Sequence, residues 1–192
     1  MSGYCRVAPG HPVHQPYHDR EYGFPVADEA VLFERLSLEI FQAGLSWEIV
    51  LKKRAALNHA FASFSVDRVA AFDASDLERL LHDAAIIRNR RKIEAVIANA
   101  AQIQALRATS GGFSQWLAAL HPRPHEAWLS QFRETFRFMG AEVVREFLLS
   151  TGYLPGAHAE DCPIYPVILA TAPPWLATAK DALLQVGTAE TR

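Results

Sequence analysis

Apolar residues recur every three or four positions through most of this chain, which is the spacing of amphipathic helices. The clearest stripe begins after residue 89 and continues to about Thr109. Its members are Ile93, Val96, Ile97, Ala100, Ile103 and Leu106. No stretch alternates between apolar and polar residues for long enough to predict a strand. The pattern therefore predicts an all-α fold.

Side chains that can cap helices mark several predicted helix starts. Asp28 and Ser46 each stand just before an apolar stripe, where a side-chain oxygen can accept a hydrogen bond from a free backbone amide. Ser65 and Ser75 are predicted to begin two further short helices, and Glu78 follows Ser75 at the spacing of a capping box.

The two ends of the chain have weaker patterns. Residues 1–27 contain prolines at positions 9, 12, 16 and 25 and few apolar pairs at helical spacing, so we expect an irregular segment there. After Cys162 the pattern predicts one more helix near residues 175–184, followed by a polar tail.

Charge and segment composition limit the classes of function. The 192 residues carry a formal net charge of -2, so any contact with DNA must come from a local basic patch. No window approaches the roughly 18 apolar residues of a membrane span, and the first residues lack the basic start and apolar run of a signal peptide. We therefore expect a cytoplasmic protein, in which cysteines bind metal more readily than they form disulfides.

Each of the two cysteines has a histidine nearby. Cys5 and His18 stand near the N-terminus, while His158 and Cys162 are four positions apart near the end of the last well-patterned helix. Two thiolates and two imidazoles are the ligands of a closed, structural zinc site. Spacing alone leaves open the alternative of a buried thiol and a surface histidine at each end. If the four share one zinc ion, it closes a helical domain of residues 1–165, and residues 166–192 are an extension, partly helical or disordered.

A candidate pocket lies at the end of the helix that follows Asp28. Glu39 occurs in an otherwise apolar segment at the C-terminal end of that helix, where both burial and the helix dipole disfavour a carboxylate. Gln42 and Trp47 follow closely, so an acid, an amide and an indole could hold a flat ring that has a cationic or polar edge. The alternative is an exposed helical glutamate, which is the commoner case.

Two features could contact DNA. The segment around Gly140 reads as a helix, a tight turn and a second helix, and it resembles a helix-hairpin-helix, whose second helix can bind a phosphate through its first amides. Any helical corner has the same pattern, so this alternative stays open. The second feature is a basic cluster, which could equally be two solvated helix faces. Its members are Lys52, Lys53, Arg54, Arg88, Arg90, Arg91 and Lys92.

Three runs of residues, in collinear order, resemble the DNA-3-methyladenine glycosylase I family. They are Tyr17-His18-Asp19-x-Glu21-Tyr22-Gly23, Leu38-Glu39-x-x-Gln42-Ala43-Gly44-Leu45-Ser46-Trp47-x-x-Val50-Leu51-Lys52-Lys53-Arg54 and Ile86-Ile87-Arg88-Asn89-Arg90-x-Lys92-Ile93. The resemblance runs from about residue 5 to residue 162. It implies a helix-hairpin-helix glycosylase fold and a monomer that excises 3-methyladenine from alkylated double-stranded DNA, with no protein partner.

The resemblance also implies roles for individual residues. It assigns base recognition to Glu39 and Tyr17 and ring stacking to Trp47, and with Gln42 these form the expected base-binding set. Glu39 is the expected catalytic residue, because the family lacks the aspartate usual in its superfamily. The structural zinc falls on Cys5, His18, His158 and Cys162. The expected DNA contacts are Gly140, Lys52, Lys53, Arg54, Arg88 and Arg90.

The chain departs from the family pattern at several positions. Val7 replaces an aromatic residue, Tyr22 a tryptophan and Thr135 a glycine. Glu142 replaces a small hydroxyl residue at the start of the second hairpin helix, where a carboxylate would repel a phosphate. Two alternatives therefore remain: a non-catalytic or altered-specificity member that binds a modified base or DNA without excising 3-methyladenine, and a glycosylase for another alkylated base or a free nucleoside.

Overall fold

The computed structural model describes residues 3–177, and every regular element within that range is helical. In chain order the α-helices are α1 (Gly3–Val7), α2 (His14–Arg20), α3 (Glu29–Gln42), α4 (Trp47–Ala60), α5 (Val66–Ala70), α6 (Ala74–His82), α7 (Arg90–Ser110), α8 (Phe113–Leu120), α9 (His125–Thr135), α10 (Ala141–Ser150) and α11 (Tyr165–Ala170). A 3-10 turn spans Ala62–Phe64, and residues 174–177 are also helical. The predicted all-α class is confirmed. None of the described helices is both long and apolar enough to cross a membrane.

The predicted caps of α3 and α4 are confirmed. The amide of Val31 donates to Asp28 Oδ1 at 3.0 Å, and the amide of Ile49 donates to Ser46 Oγ at 3.4 Å. Ser65 likewise precedes α5, although its side chain caps no amide there. Asp28 and Ser46 begin their helices because each satisfies an amide that the helix leaves unpaired.

The predicted start of α6 at Ser75 is wrong. Asp73 is the N-cap, and its Oδ1 accepts hydrogen bonds from the amides of Ser75 and Asp76 at 2.8 and 3.1 Å. Asp76 completes a capping box by accepting from the Asp73 amide at 3.4 Å. A reciprocal pair of aspartates satisfies two amides, whereas Ser75 would satisfy one, so the helix starts earlier.

The predicted irregular N-terminal segment is also wrong, because it contains α1 and α2. Pro16 is the third residue of α2. An amide in the first turn has no partner within the helix, so a proline there removes no hydrogen bond. Of the helix predicted near residues 175–184, residues 174–177 are helical, and the remainder lies outside the described residues.

The described chain divides into two units, and the boundary falls within α10. The first unit comprises residues 3–25 and 148–177, and the second comprises residues 26–147. In the second unit the rings of Phe113 and Phe147 stack with centroids 5.8 Å apart, and Phe132 lies 5.6 Å from Phe147. This aromatic core holds α8, α9 and the second half of α10 together and so fixes the hairpin between α9 and α10.

Candidate functional site

The first unit brings the four predicted metal ligands together. Cys5 comes from α1, His18 from α2, and His158 and Cys162 from the segment after α10, and all four are buried. The Sγ atom of Cys162 lies 3.4 Å from His158 Nδ1 and 3.7 Å from His18 Nε2, and Cys5 Sγ lies 3.7 Å from His158 Nδ1. The four ligand atoms all lie within 4.8 Å of one another.

The donor atoms suit a tetrahedral metal ion. Bonds of about 2.3 Å to sulfur and about 2.0 Å to nitrogen place those atoms about 3.5 Å apart around one ion. Three of the four sulfur–nitrogen distances, between 3.4 and 3.7 Å, match this value. The buried cluster could therefore hold a metal ion.

Outer contacts orient both histidines of the cluster. His18 Nδ1 lies 2.7 Å from Asp19 Oδ1, which leaves Nε2 to face the thiols. His158 Nε2 lies 2.8 Å from the carbonyl oxygen of Tyr22, which leaves Nδ1 to face them. Burial acts to raise the pKa of Asp19, but hydrogen bonds from His18 and Gln15 outweigh it and hold the pKa below its ordinary value. A charged carboxylate behind an imidazole is a common outer contact of a metal ligand.

A close backbone approach supports the cluster at Gly23. Its φ is +87°, and a Cβ atom there would lie 2.9 Å from the Cβ of Ala157 and 3.4 Å from Cδ2 of His158. Its amide donates to the carbonyl of Ser150 at 3.0 Å. Only glycine adopts this conformation without strain and also leaves room for the segment that carries His158.

The second unit contains a cavity of about 270 Å³. Its lining comes from the C-terminal end of α3 and the start of α10, and consists of Glu39, Gln42, Ala43, Gly44, Leu45, Glu142 and Val143. Two of the predicted base-binding residues, Glu39 and Gln42, thus line one cavity. Glu142, identified in the sequence as a departure from the family, lines it as well.

The Glu39 side chain is in an unusual environment for a carboxylate. It is 5% exposed, and within residues 3–177 no donor forms a hydrogen bond with it. Burial raises the pKa of Glu39 well above its ordinary value, the carboxylate of Glu146 raises it further, and the charge of Arg35 acts in the opposite direction. Glu39 is therefore a buried acid that faces a cavity and would gain from a positively charged ligand.

Lys92 holds the backbone beside this cavity. Its Nζ donates to the carbonyl of Phe41 at 2.8 Å and also to the carbonyl of Ala43, at the C-terminal end of α3. Lys92 is 5% exposed, and burial lowers the pKa of its amine. In the sequence, Lys92 belongs to the predicted basic cluster. Its position four residues before Val96, on the apolar stripe of α7, is the signal that could have shown its burial.

The other two predicted base-binding residues lie in different surroundings. Trp47 is the first residue of α4 and is half-buried. Tyr17 belongs to the first unit, where it is buried and its ring lies 5.8 Å from that of Tyr22. Val7, in the position of the missing aromatic residue, is 59% exposed.

The loop between α9 and α10 is fixed by side chains of the second unit. Asn99, fully buried on α7, donates to the carbonyl of Arg137 at 3.2 Å and accepts from its amide at 2.7 Å. Arg133 donates to the carbonyl of Met139 at 3.2 Å. Gly140 precedes α10, and a Cβ atom there would meet nothing within 4 Å.

Most of the basic side chains expected to contact DNA have partners within the protein. Arg54 forms two 2.8 Å hydrogen bonds with Glu34, and Asn58 donates to the same carboxylate. Lys52 Nζ lies 2.6 Å from Glu48 Oε1, and Arg90 Nη2 lies 2.9 Å from Glu78 Oε1. Lys53 Nζ donates a hydrogen bond to the carbonyl oxygen of Ala85 at 2.8 Å. Arg88 is exposed.

The sequence is similar to known DNA-3-methyladenine glycosylases. A family model described as methyladenine glycosylase matches residues 7–135. A DNA-3-methyladenine glycosylase 1 from Escherichia coli strain K12 is 36% identical over 174 residues, which cover 81% of this chain and 92% of that protein. A DNA-3-methyladenine glycosylase from Haemophilus influenzae is 32% identical over 166 residues, which cover 77% of this chain and 89% of that protein.

Solved structures resemble the chain over most of its length. The 3-methyladenine DNA glycosylase I of Staphylococcus aureus, described for its recognition of 3-methyladenine, matches with a TM-score of 0.76 and 30% identity over 85% of this chain and 96% of that chain. A solution structure of 3-methyladenine DNA glycosylase I, described for its mode of alkylated base recognition, matches with a TM-score of 0.69 and 32% identity over 79% of this chain and 91% of that chain.

Proposed function

The chain belongs to the methyladenine glycosylase family, and from this premise we propose that it hydrolyses the N-glycosidic bond of 3-methyladenine in alkylated double-stranded DNA. The observation that carries the proposal is the buried carboxylate of Glu39, which has no hydrogen-bond donor among residues 3–177 and lines a cavity of about 270 Å³. We further propose, as expected from the sequence, that the protein acts in the cytoplasm and as a monomer.

The hydrolysis of this glycosidic bond does not require a strongly activated catalytic residue. An adenine methylated at N3 carries a positive charge while it is attached to the sugar. Its glycosidic bond is therefore weak, and the bonding electrons leave with the base as a neutral 3-methyladenine. Water adds to the sugar carbon and loses a proton. The protein has to extrude the nucleotide from the duplex, hold the base and keep it aligned.

The pocket residues supply that binding. A cationic base beside Glu39 would stabilise the ionised carboxylate and lower its raised pKa, so charge attraction replaces the lost hydration. Neutral adenine offers no such compensation and would leave a buried acid unpaired. Gln42 provides an amide for the base edge. We assign stacking to Trp47 and a hydrogen bond to Tyr17, as the resemblance implies.

We propose that zinc occupies the Cys5, His18, His158 and Cys162 cluster. The supporting observation is that the Cys162 thiol lies 3.4 and 3.7 Å from the two imidazoles and the Cys5 thiol lies 3.7 Å from that of His158. With four protein ligands the ion keeps no open position for water. It would join the N-terminal segment to the chain after α10 and would take no part in bond cleavage.

The assay for the proposed function is release of 3-methyladenine from alkylated duplex DNA. Glu39→Gln preserves the shape of the side chain and removes its charge, and we expect at least about a tenfold loss of kcat/KM, which corresponds to about 1.4 kcal/mol of transition-state stabilisation. Glu126→Gln changes an exposed glutamate in the same way and should have wild-type activity. Absence of 3-methyladenine release by the wild type would refute the function, and an unchanged Glu39→Gln would refute the role of Glu39.

Altered specificity is a second candidate, favoured by Glu142. Its carboxylate lines the same cavity as Glu39, where the family pattern has a small hydroxyl residue. A second acid would attract other cationic bases as well. The test of altered specificity compares the wild type with Glu142→Thr on duplex DNA that carries several alkylated bases. The variant should release a narrower range of these bases than the wild type.

A further inference from the structure

A second cavity of the second unit lies beside the hairpin loop. It measures about 270 Å³ and is lined by Arg91, Glu94, Ala95, Arg137 and Phe138. Arg91 belongs to the first turn of α7, and Arg137 belongs to the loop between α9 and α10. Two arginines from separate segments of the chain therefore line one concave surface.

These arginines differ from the other basic residues around them. Within residues 3–177 neither Arg91 nor Arg137 forms an ion pair, and both are exposed. The acid in the cavity, Glu94, already has Arg90 as a partner, with 3.7 Å between the charged atoms. Arg90 in turn lies 2.9 Å from Glu78. The two cavity arginines are thus available to bind an anion.

The backbone around this cavity is fixed. Both backbone groups of Arg137 are hydrogen-bonded to the buried Asn99, at 2.7 and 3.2 Å. Phe138 has a φ of +65°, which a non-glycine residue adopts only when its surroundings hold it there, and its ring lies 5.9 Å from the amine of Lys92. The loop presents Arg137 from a defined position, so a ligand pays little ordering entropy there.

The alternative anion site on the hairpin carries the wrong charge. The first amides of α10 point their positive end toward an incoming phosphate, as at any helix N-terminus. Glu142 stands in that first turn, and its side chain is 82% exposed. Its carboxylate lies 3.9 Å from the guanidinium of Arg145, and it offsets the positive end of the helix dipole that would attract a phosphate.

We propose that Arg91 and Arg137 form a binding site for backbone phosphates of double-stranded DNA, and that this site replaces the first turn of α10 as the main anion contact of the hairpin. The inference rests on the proposed function, because it takes DNA as the substrate. A guanidinium can donate two parallel hydrogen bonds to one phosphate, so two arginines suit adjacent phosphates of one strand. The half-exposed ring of Phe138 offers an apolar surface to the sugar between them.

The test uses undamaged duplex DNA, so that binding is separated from excision. Arg91→Gln and Arg137→Gln should each weaken duplex binding about three- to tenfold near 0.1 M salt and lower the slope of log affinity against log salt by about 1. The affinity for free 3-methyladenine should stay at the wild-type value. Fluorescence anisotropy of a labelled duplex between about 50 and 200 mM salt gives both quantities.

Arg68→Gln is the matched control. Arg68 is exposed, and its chain neighbour Asp67 pairs with Arg107 near the C-terminal end of α7. Arg107 is roughly 20 Å from Arg91 along that helix, so Arg68 lies far from the proposed site. The Arg68→Gln variant should bind duplex DNA with the affinity of the wild type. Arg137→Lys keeps the charge and should recover most of the salt slope, which separates loss of charge from a disturbed loop.

The outcomes separate the two proposals. Equal duplex affinity and salt slope in Arg91→Gln, Arg137→Gln and Arg68→Gln would overturn the phosphate site, even if the wild type excises 3-methyladenine. A wild type that binds duplex DNA through these arginines and releases no base would support the site and overturn the proposed function alone.

Discussion

Glu39 combines a structural cost with a functional use. In the free protein its carboxyl group is buried among apolar residues at the end of α3, and both burial and the carboxylate of Glu146 raise its pKa. A cationic base supplies the missing counter-charge. The residue thus destabilises the empty pocket at neutral pH and gains its favourable interaction only when the substrate is bound.

This cost predicts that Glu39→Gln stabilises the fold, and does so increasingly as pH rises. The unfolded chain releases the proton near the ordinary pKa of about 4.3, whereas the folded protein keeps it to a higher pH. The part of the stability that depends on Glu39 is therefore fully present below about pH 4.3 and is lost as pH rises through the folded-state pKa. Near pH 8 the variant should exceed the wild type by at least about 1 kcal/mol in the free energy of unfolding.

Urea unfolding between about pH 4 and pH 8 measures the difference. Glu126→Gln, which alters an exposed glutamate, should follow the wild type across the range. If Glu39→Gln stabilised the protein equally at both ends of the range, the raised pKa would not be its cause.

The sequence indicated that Glu39 could be buried, with an exposed glutamate as the alternative, but it did not indicate the burial of Lys92, and the reason is physical. The neighbours of Glu39 in the chain are apolar, so its environment is local information. Lys92 is surrounded by basic residues, and its partner Phe41 is 51 positions away in the chain. A periodic pattern shows which positions face inward, but it does not show which distant carbonyls a buried amine will meet.

At the scale of elements, Lys92 connects α7 to the C-terminal end of α3. Its charge lies at the negative end of the α3 dipole and satisfies two carbonyls that the helix leaves free. We expect Lys92→Met to lower the free energy of unfolding by about 2–4 kcal/mol, because two buried acceptors lose a charged donor. The pocket backbone at residues 42–45 should loosen, so the KM for alkylated DNA should rise.

Lys53→Met is the matched control for this prediction. Lys53 also donates to two carbonyls, of Ala84 and Ala85, but from an exposed position where water can replace it. Its loss should cost less than about 1 kcal/mol. Equal costs for the two variants, measured by urea unfolding, would mean that Lys92 is no more than a surface contact.

The sequence predicted a helix start correctly where only one side chain could cap the helix, and it failed where two nearby side chains could do so. Asp28 and Ser46 stand alone before their stripes and cap them. Asp73 and Ser75 are two positions apart, and either could cap α6. Asp73 is the N-cap because it forms reciprocal hydrogen bonds with Asp76. In α2 the proline at position 16 was read as a helix breaker, although in a first turn it breaks nothing.

At the scale of the whole molecule, the two units differ in what stabilises them. Among the described residues, the largest fully buried side chains all belong to the second unit, residues 26–147. The first unit is assembled from two chain segments far apart in sequence, and it contains the buried cluster of Cys5, His18, His158 and Cys162. A metal ion that joins those segments would supply stability that this unit's smaller apolar core does not.

We therefore expect about one zinc ion per chain by elemental analysis, and a loss of more than about 3 kcal/mol in the free energy of unfolding on chelation or in Cys162→Ser, since zinc contributes roughly 10–16 kcal/mol to small zinc-folded domains. His59→Ala, which removes an exposed histidine of the second unit, should keep both the metal and the stability. Amide exchange should rise mainly in residues 3–25 and 148–177, because the aromatic core of the second unit does not depend on the ion. A protein purified without metal that unfolds at the wild-type urea concentration would show that hydrogen bonds among these four side chains are sufficient.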